Sequence, residues 1–92
     1  MRRWCFNILM DFDTQALLHV LQPFALMGLR PQWLLLSEQS EAFALTAHYD
    51  DLNDEVAAQL LARLQEMPCV RIAGATVLDA GERQAPIRAK SH

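Results

Sequence analysis

The sequence predicts an α+β sandwich of six elements in the order βαββαβ, a split βαβ arrangement with a four-stranded antiparallel sheet and two helices on one face. Three observations predict it. Residues 3–10 alternate in the manner of a half-buried strand. The segment Phe12-Asp13-Thr14-Gln15-Ala16-Leu17 opens an apolar helix that runs to Met27, stops at Gly28 and is followed by a new apolar run. From Ala42 to Leu78 the chain repeats that order of strand, helix and strand.

In the first strand Trp4, Phe6, Ile8 and Met10 share one face, and Arg3, Cys5, Asn7 and Leu9 share the other. Asp11 to Thr14 is the loop. Asp13 or Thr14 can cap the helix by accepting a hydrogen bond from a backbone N–H of its first turn. Leu17, Val20, Leu21 and Phe24 mark the buried helix face, while Leu18, Ala25 and Leu26 widen the apolar surface beyond a stripe. Pro23 removes one backbone hydrogen bond and predicts a kink. Gly28 suits a left-handed helix stop.

The second strand is expected over residues 30–37, with Pro31 at an edge or a strand start. Leu34, Leu35 and Leu36 make it apolar on both faces, a pattern that suits a subunit contact on a bare edge. Residues 37–41 read as a polar hairpin connection. The third strand, 42–49, places Phe43, Leu45, Ala47 and Tyr49 on one face and Ala42, Ala44, Thr46 and His48 on the other. Residues 50–55 read as an acidic helix start, favoured by the helix dipole. Leu52, Val56, Leu60, Leu64 and Met67 form the stripe of that helix, and Pro68 ends it. The fourth strand is expected over roughly 69–78, with Val70 and Ile72 inward and Gly74 at a bulge or close approach. Residues 1–78 form the domain, and 79–92 read as a mobile polar tail. The open face of this ferredoxin-like sheet would carry Asn7, Thr46, His48, Arg71 and several alanines.

Composition limits the function. The chain has 92 residues, is 52% hydrophobic and carries a net charge of −3. A domain this small has little interior for so many apolar side chains, which points to a second subunit or a partner. An acidic domain without a basic stripe argues against nucleic acid. So does the placing of Trp4 and Phe6 under the helices, away from the face where bases would stack. No run approaches the roughly 20 apolar residues of a membrane span. No signal peptide is evident, so the cytoplasm is the expected location.

Chemistry is sparse. His19, His48 and His92 fall on a helix, a strand and the tail, without metal-ligand spacing, so neither metal nor cofactor is expected. Cys5 and Cys69 begin neighbouring antiparallel strands. That sets their sulfurs more than ~10 Å apart at about 3.4 Å per residue, beyond disulfide reach. His48 beside Cys5 reads either as a partly solvated histidine next to a packed thiol or as a nucleophile–base pair. Asp11 and Asp13 close the loop and cap the helix, or serve as an acid–base pair. The loop 11–16 meets a helix N-terminus, where outward N–H groups can hold a carboxylate. It is therefore either a self-satisfied turn or a ligand site.

The chain resembles the ACT domain, a small regulatory module that binds amino acids in metabolic enzymes, and it is most similar to the short regulatory subunit of acetolactate synthase. The resemblance spans residues 3–78 and rests on Phe12-Asp13-Thr14-Gln15-Ala16-Leu17, Val20, Phe24, Gly28 and Leu29. Leu17, Phe24 and Gly28 stand on the family's Leu, Phe and Gly. The family's Pro-Gly falls on Thr14-Gln15, and its Asn falls on Arg30. The glycine that lets backbone approach a bound amino acid is thus replaced. Some short acetolactate synthase subunits share that departure, so the resemblance implies an assembly role as readily as valine sensing.

It further implies a non-catalytic homodimer joined through the second strands, with Leu34, Leu35 and Leu36 at the contact and a catalytic large subunit as partner. An effector would touch Asp11, Asp13, Thr14, Gln15 and Ala16, with Arg30, Gln32 or Trp33 nearby. Two other readings stay open: a dimeric adaptor without ligand, and a small αβ-barrel enzyme using His48, Asn7 and Arg71 on the open sheet face.

Overall fold

A computed structural model of the chain describes residues 2–78; the expected tail, 79–92, lies outside the described residues. The elements are β1 (Arg2–Asp11), α1 (Thr14–Leu26), β2 (Trp33–Gln39), β3 (Ala42–Leu52), α2 (Asp54–Gln65) and β4 (Val70–Leu78). One sheet of order β2-β3-β1-β4 holds all four strands, each antiparallel to its neighbours. This is the ferredoxin-like arrangement predicted from the sequence.

The alternation of β1 sets the layers. Phe6, Ile8 and Met10 are buried, and they share one core with Val20 and Phe24 of α1 and Leu60 and Leu64 of α2. The Phe24 ring meets Phe6 edge-on at 5.1 Å and stacks on Tyr49 at 4.6 Å. Aromatic pairs in these geometries add to simple area burial. Both helices take the caps their sequences offer. Asp13 accepts from the Gln15 N–H at 3.1 Å, and Asn53 accepts from the Val56 N–H at 2.7 Å. α1 runs through Pro23 to Leu26, and the chain turns away at Gly28, whose φ is +73°. The Gly28 N–H donates to the Ala25 carbonyl and the Leu29 N–H to that of Phe24, so the helix end is closed by backbone bonds.

Several expectations need correction. β2 begins at Trp33 and ends at Gln39, later than expected at both ends. Pro31 cannot donate to a ladder, so pairing starts with the Gln32 N–H on the His48 carbonyl. The polar connection shrinks to Ser40 and Glu41, which both take positive φ, 50° and 62°. That is the turn handedness that matches strand twist, but it is built here without the usual Asn-Gly.

β3 runs on through Leu52 rather than yielding to a helix start at residue 50. Between the pairs Trp4–Tyr49 and Arg2–Leu52, β3 uses one residue more than β1, and Asp51 has φ +61°. This bulge turns Leu52 back to the core. Leu52 therefore joins the hydrophobic stripe of α2 from a strand. On β4 the bulge falls at Arg71, between the pairs Leu9–Ile72 and Met10–Val70, and not at Gly74. It sends Ile72 to the open face, where it is 66% exposed, while Val70, Ala73 and Ala75 pack on the core.

Candidate functional site

The first site grows from the exit of β1. The Asp11 N–H donates to the Cys69 carbonyl at 2.9 Å, which ties the β1–α1 loop to the connection between α2 and β4. The Asp11 carboxylate accepts from Arg71 Nε at 3.2 Å, an ion pair supplied by the β4 bulge. The Asp13 N–H donates to the Asp11 carbonyl at 2.9 Å, closing a tight turn that feeds α1. Phe12 swings to the other side and meets Phe43 edge-on at 4.7 Å.

What remains between loop, helix and connection is a cleft of about 420 Å³, open to solvent. Asp11, Asp13, Gln15, Ala16, His19 and Gln22 line one side, and Met67, Pro68 and Cys69 line the other. Its chemistry is mixed: the Asp11 and Asp13 carboxylates and the N-terminus of α1 share the lining with apolar atoms of Ala16, Met67 and Pro68. Carboxylates attract an ammonium group, and the helix N-terminus favours a carboxylate.

The structure brings together Asp11, Asp13, Gln15 and Ala16 of the sequence-predicted site, with Thr14 beside them as the first residue of α1. Arg30, Gln32 and Trp33 lie elsewhere in the same chain. Trp33 pairs with His48, which pairs with Cys5, six positions back along β1 from Asp11. That is about 20 Å at strand rise. Leu34, Leu35 and Leu36 all stand on the edge strand β2, Leu34 and Leu36 on the helix side and Leu35 on the open side.

Sequence reasoning missed His19, Gln22, Met67, Pro68 and Cys69 as lining residues. Gln15, His19 and Gln22 follow helical spacing, a polar stripe legible in the sequence. Cys69 follows from the antiparallel pairing of β1 and β4, which sets the start of one against the end of the other.

The second cluster is on the open face. Trp33, His48, Cys5 and Thr76 form one row across the four strands. In the next row Thr46 Oγ1 and Asn7 Oδ1 lie 3.0 Å apart, and Asn7 Nδ2 lies 3.5 Å from Cys5 Sγ. Arg3 and Asp50 form a two-point ion pair, with Nη2 to Oδ2 at 2.9 Å. The hydrogen bond to Asp50 raises the Arg3 pKa.

His48 is buried rather than partly solvated, only 1% exposed, with the Trp33 ring 4.9 Å away. Neither ring nitrogen has a hydrogen-bond partner. Burial lowers its pKa, the Arg3 charge lowers it further, and Asp50 opposes them. Arg71 is held at Asp11, so the structure does not gather His48, Asn7 and Arg71 into one catalytic group. Cys5 and Cys69 are not joined in a disulfide. Among the described residues no cluster of three or more metal-ligating side chains occurs, and no helix is long and apolar enough to cross a membrane.

No protein-family profile matches the chain, and no curated protein matches it in sequence. Solved structures do match it in shape. The chain is similar to the ACT domain of a GTP pyrophosphokinase from Chlorobium tepidum, with a TM-score of 0.70 and 9% identity over 82% of this chain and 97% of that domain. It is also similar to the C-terminal domain of the MgtC protein from Mycobacterium tuberculosis, with a TM-score of 0.68 and 14% identity over 90% of this chain and 94% of that one. A third likeness is an uncharacterized protein from Thermotoga maritima, with a TM-score of 0.66 and 14% identity over 85% and 98% of the two chains. At these identities the likeness is one of fold, and that fold is shared with an ACT domain.

Proposed function

We propose that this chain is a non-catalytic, cytoplasmic regulatory module of ACT type that works as a dimer and takes a small amino acid in the cleft at the start of α1. The observation that carries the reading is the composition of that cleft. Asp11 and Asp13 suit an α-ammonium group, the first N–H groups of α1 suit an α-carboxylate, and Ala16, Met67 and Pro68 suit an aliphatic side chain. Its volume, about 420 Å³, falls within the usual range of small-ligand sites. Valine and its branched relatives are the first candidates.

The dimer is supported by apolar side chains left bare outside the core. Leu18, Leu26, Met27 and Leu34 are all exposed, three of them on or just after α1 and the fourth on the edge strand. A two-fold pairing of β2 with its copy runs antiparallel. It would bring Arg30, Gln32 and Trp33 of one subunit to the sheet end that carries the other subunit's loop 11–16. A catalytic enzyme of the acetolactate synthase kind is the partner we assign to such a dimer.

The test is a thermal-shift screen of the twenty amino acids with light scattering in the same buffer. A ligand at ten times its Kd stabilises the native state by about 1.4 kcal/mol. For a domain of this size that is a rise in Tm of roughly 6–11 °C. The expected result is such a rise with a branched amino acid on a dimer, lost in the double variant Asp11→Asn/Asp13→Asn. A dimer with no response to any amino acid would leave the adaptor reading in its place. A monomer with no response would overturn both.

A further inference from the structure

His48 is the least expected side chain of the open face. It sits in the middle of a bare sheet surface and yet is 1% exposed. Trp33, its register partner on β2, lies against the imidazole with ring centroids 4.9 Å apart and planes tilted by 40°. The same residue also anchors β2 by its backbone, because its carbonyl accepts the Gln32 N–H at 2.7 Å, just before the strand begins. One residue of β3 thus holds both the side-chain lid and the first backbone bond of the edge strand.

The imidazole plays no part in that arrangement as a hydrogen-bonding group. Both Nδ1 and Nε2 are buried without partners. A neutral ring tolerates this at modest cost, but an imidazolium carries two N–H donors and a full charge, and burying it unpaired costs far more. The charged and titratable neighbours do not offer an obvious reception. Arg3 on β1 and Asp50 on β3 are already locked in their two-point pair, and Cys5 is the facing residue on β1. From β2 comes Trp33, and from β4 the same row ends in Thr76, neither of which titrates near neutrality. Arg3 and Asp50 act on the ring in opposite directions, with Arg3 the stronger.

We propose that His48 is an acid-operated latch: charging its imidazole lifts Trp33 and frees the first residues of β2 from the open face. The sign follows from linkage. The ring is held neutral in the folded sheet, below its ordinary pKa, so the stabilisation it permits is complete above that ordinary value. It is lost as the pH falls toward the lowered folded value. Only the opened form accepts the proton readily, so acid feeds the opening. Within one chain opening is local because β2 is paired to β3 alone, and in the dimer proposed above it would loosen the β2 contact at the same residues. The inference does not depend on the cleft or its ligand.

The experiment is a pH titration of the full chain from pH 8 to pH 5 by NMR, reading the His48 ring and the exchange protection of the Gln32 and Trp33 amides. With an ordinary histidine pKa near 6.5 in the opened form, opening should increase up to about thirtyfold at pH 5. Protection at Gln32 and Trp33 should fall by that factor, while the Phe6 and Ile8 amides in the sheet centre stay protected. His48→Phe keeps an aromatic ring under Trp33 and removes the titration, so the acid loss should vanish. His48→Gln serves as a second non-titrating variant if the first does not fold. A His48 that titrates at or above the ordinary value would overturn the latch. So would acid loss that persists in the non-titrating variants, or loss spread evenly over all four strands.

Discussion

The two helices cover the same face of one sheet, yet they are finished differently on the outside. α2 has a capping Asn53, Asp54 and Glu55 in its first turn and Arg63 in its last. Its exposed positions include Gln59, Arg63 and Gln65. Each of these choices suits a helix that ends its contacts at water. α1 has no acidic residue in its first turn and no basic residue in its last, and it carries a buried proline. Its exposed positions include Leu18 at 55% and Leu26 at 71%. Inward, the helices are equivalent; outward, only α2 is complete by itself. The difference marks the outer face of α1 as the surface that the proposed second subunit would cover.

The largest effects should come from the inner faces, and they should be alike. Phe24→Ala removes the ring that meets both Phe6 and Tyr49, and should cost about 3–5 kcal/mol. Leu60→Ala on α2, from a fully buried position, should cost about 2–5 kcal/mol. Against a domain stability of about 5–15 kcal/mol these are severe losses. Urea denaturation of both variants measures them. A mild effect at either site would show that one helix contributes less to the core than its burial implies.

Much of this contrast is legible in the amino-acid sequence. The alternation of β1, the Asp13 cap, the Gly28 stop and the Val56–Leu60–Leu64 stripe are local signals, and each corresponds to an observed element. Sequence and structure part where one extra residue changes the phase of a strand. Neither Asp51 nor Arg71 is a glycine, so nothing in the residue type announces the bulge. Leu52 keeps helical spacing with Val56 and Leu60 and so resembles a helix residue, although it reaches the same core from β3. Plain alternation places Ile72 inward, and the Arg71 bulge reverses it. The cleft is half legible for a related reason. Asp11 to Ala16 are contiguous, but Met67 to Cys69 join them only through the pairing of β1 with β4. The burial of His48 depends on the register of Trp33, which follows from the late start of β2 rather than from any local pattern.

The caps should give the intermediate effect. Asn53→Ala should cost about 1 kcal/mol, since the Val56 N–H loses its acceptor. Asp13→Ala should cost a similar amount by freeing the Gln15 N–H. Asp13→Asn keeps a capping oxygen, so it should restore most of the stability lost in Asp13→Ala. Because Asp13 also lines the cleft, the Asn variant should still lose affinity for an ammonium ligand. Thermal denaturation with and without amino acid separates the two roles. Equal stability of the Ala and Asn variants would remove the cap from the explanation of α1.

The smallest effect on folding should fall on the outer face of α1, and there it is most informative. Leu18→Glu and Leu26→Glu change side chains that are already largely in water, so each should alter monomer stability by no more than about 0.5 kcal/mol. At a dimer contact the same charges would be buried without partners, and association should fail. The comparison therefore predicts a split readout. Urea midpoints at dilute concentration stay near those of the parent chain, while the mass by light scattering halves. The matching change on α2, Gln59→Glu, should move neither quantity. If Leu18→Glu and Leu26→Glu leave the mass unchanged, the bare leucines of α1 do not form the contact, and the asymmetry between the helices would have to be assigned to a different partner.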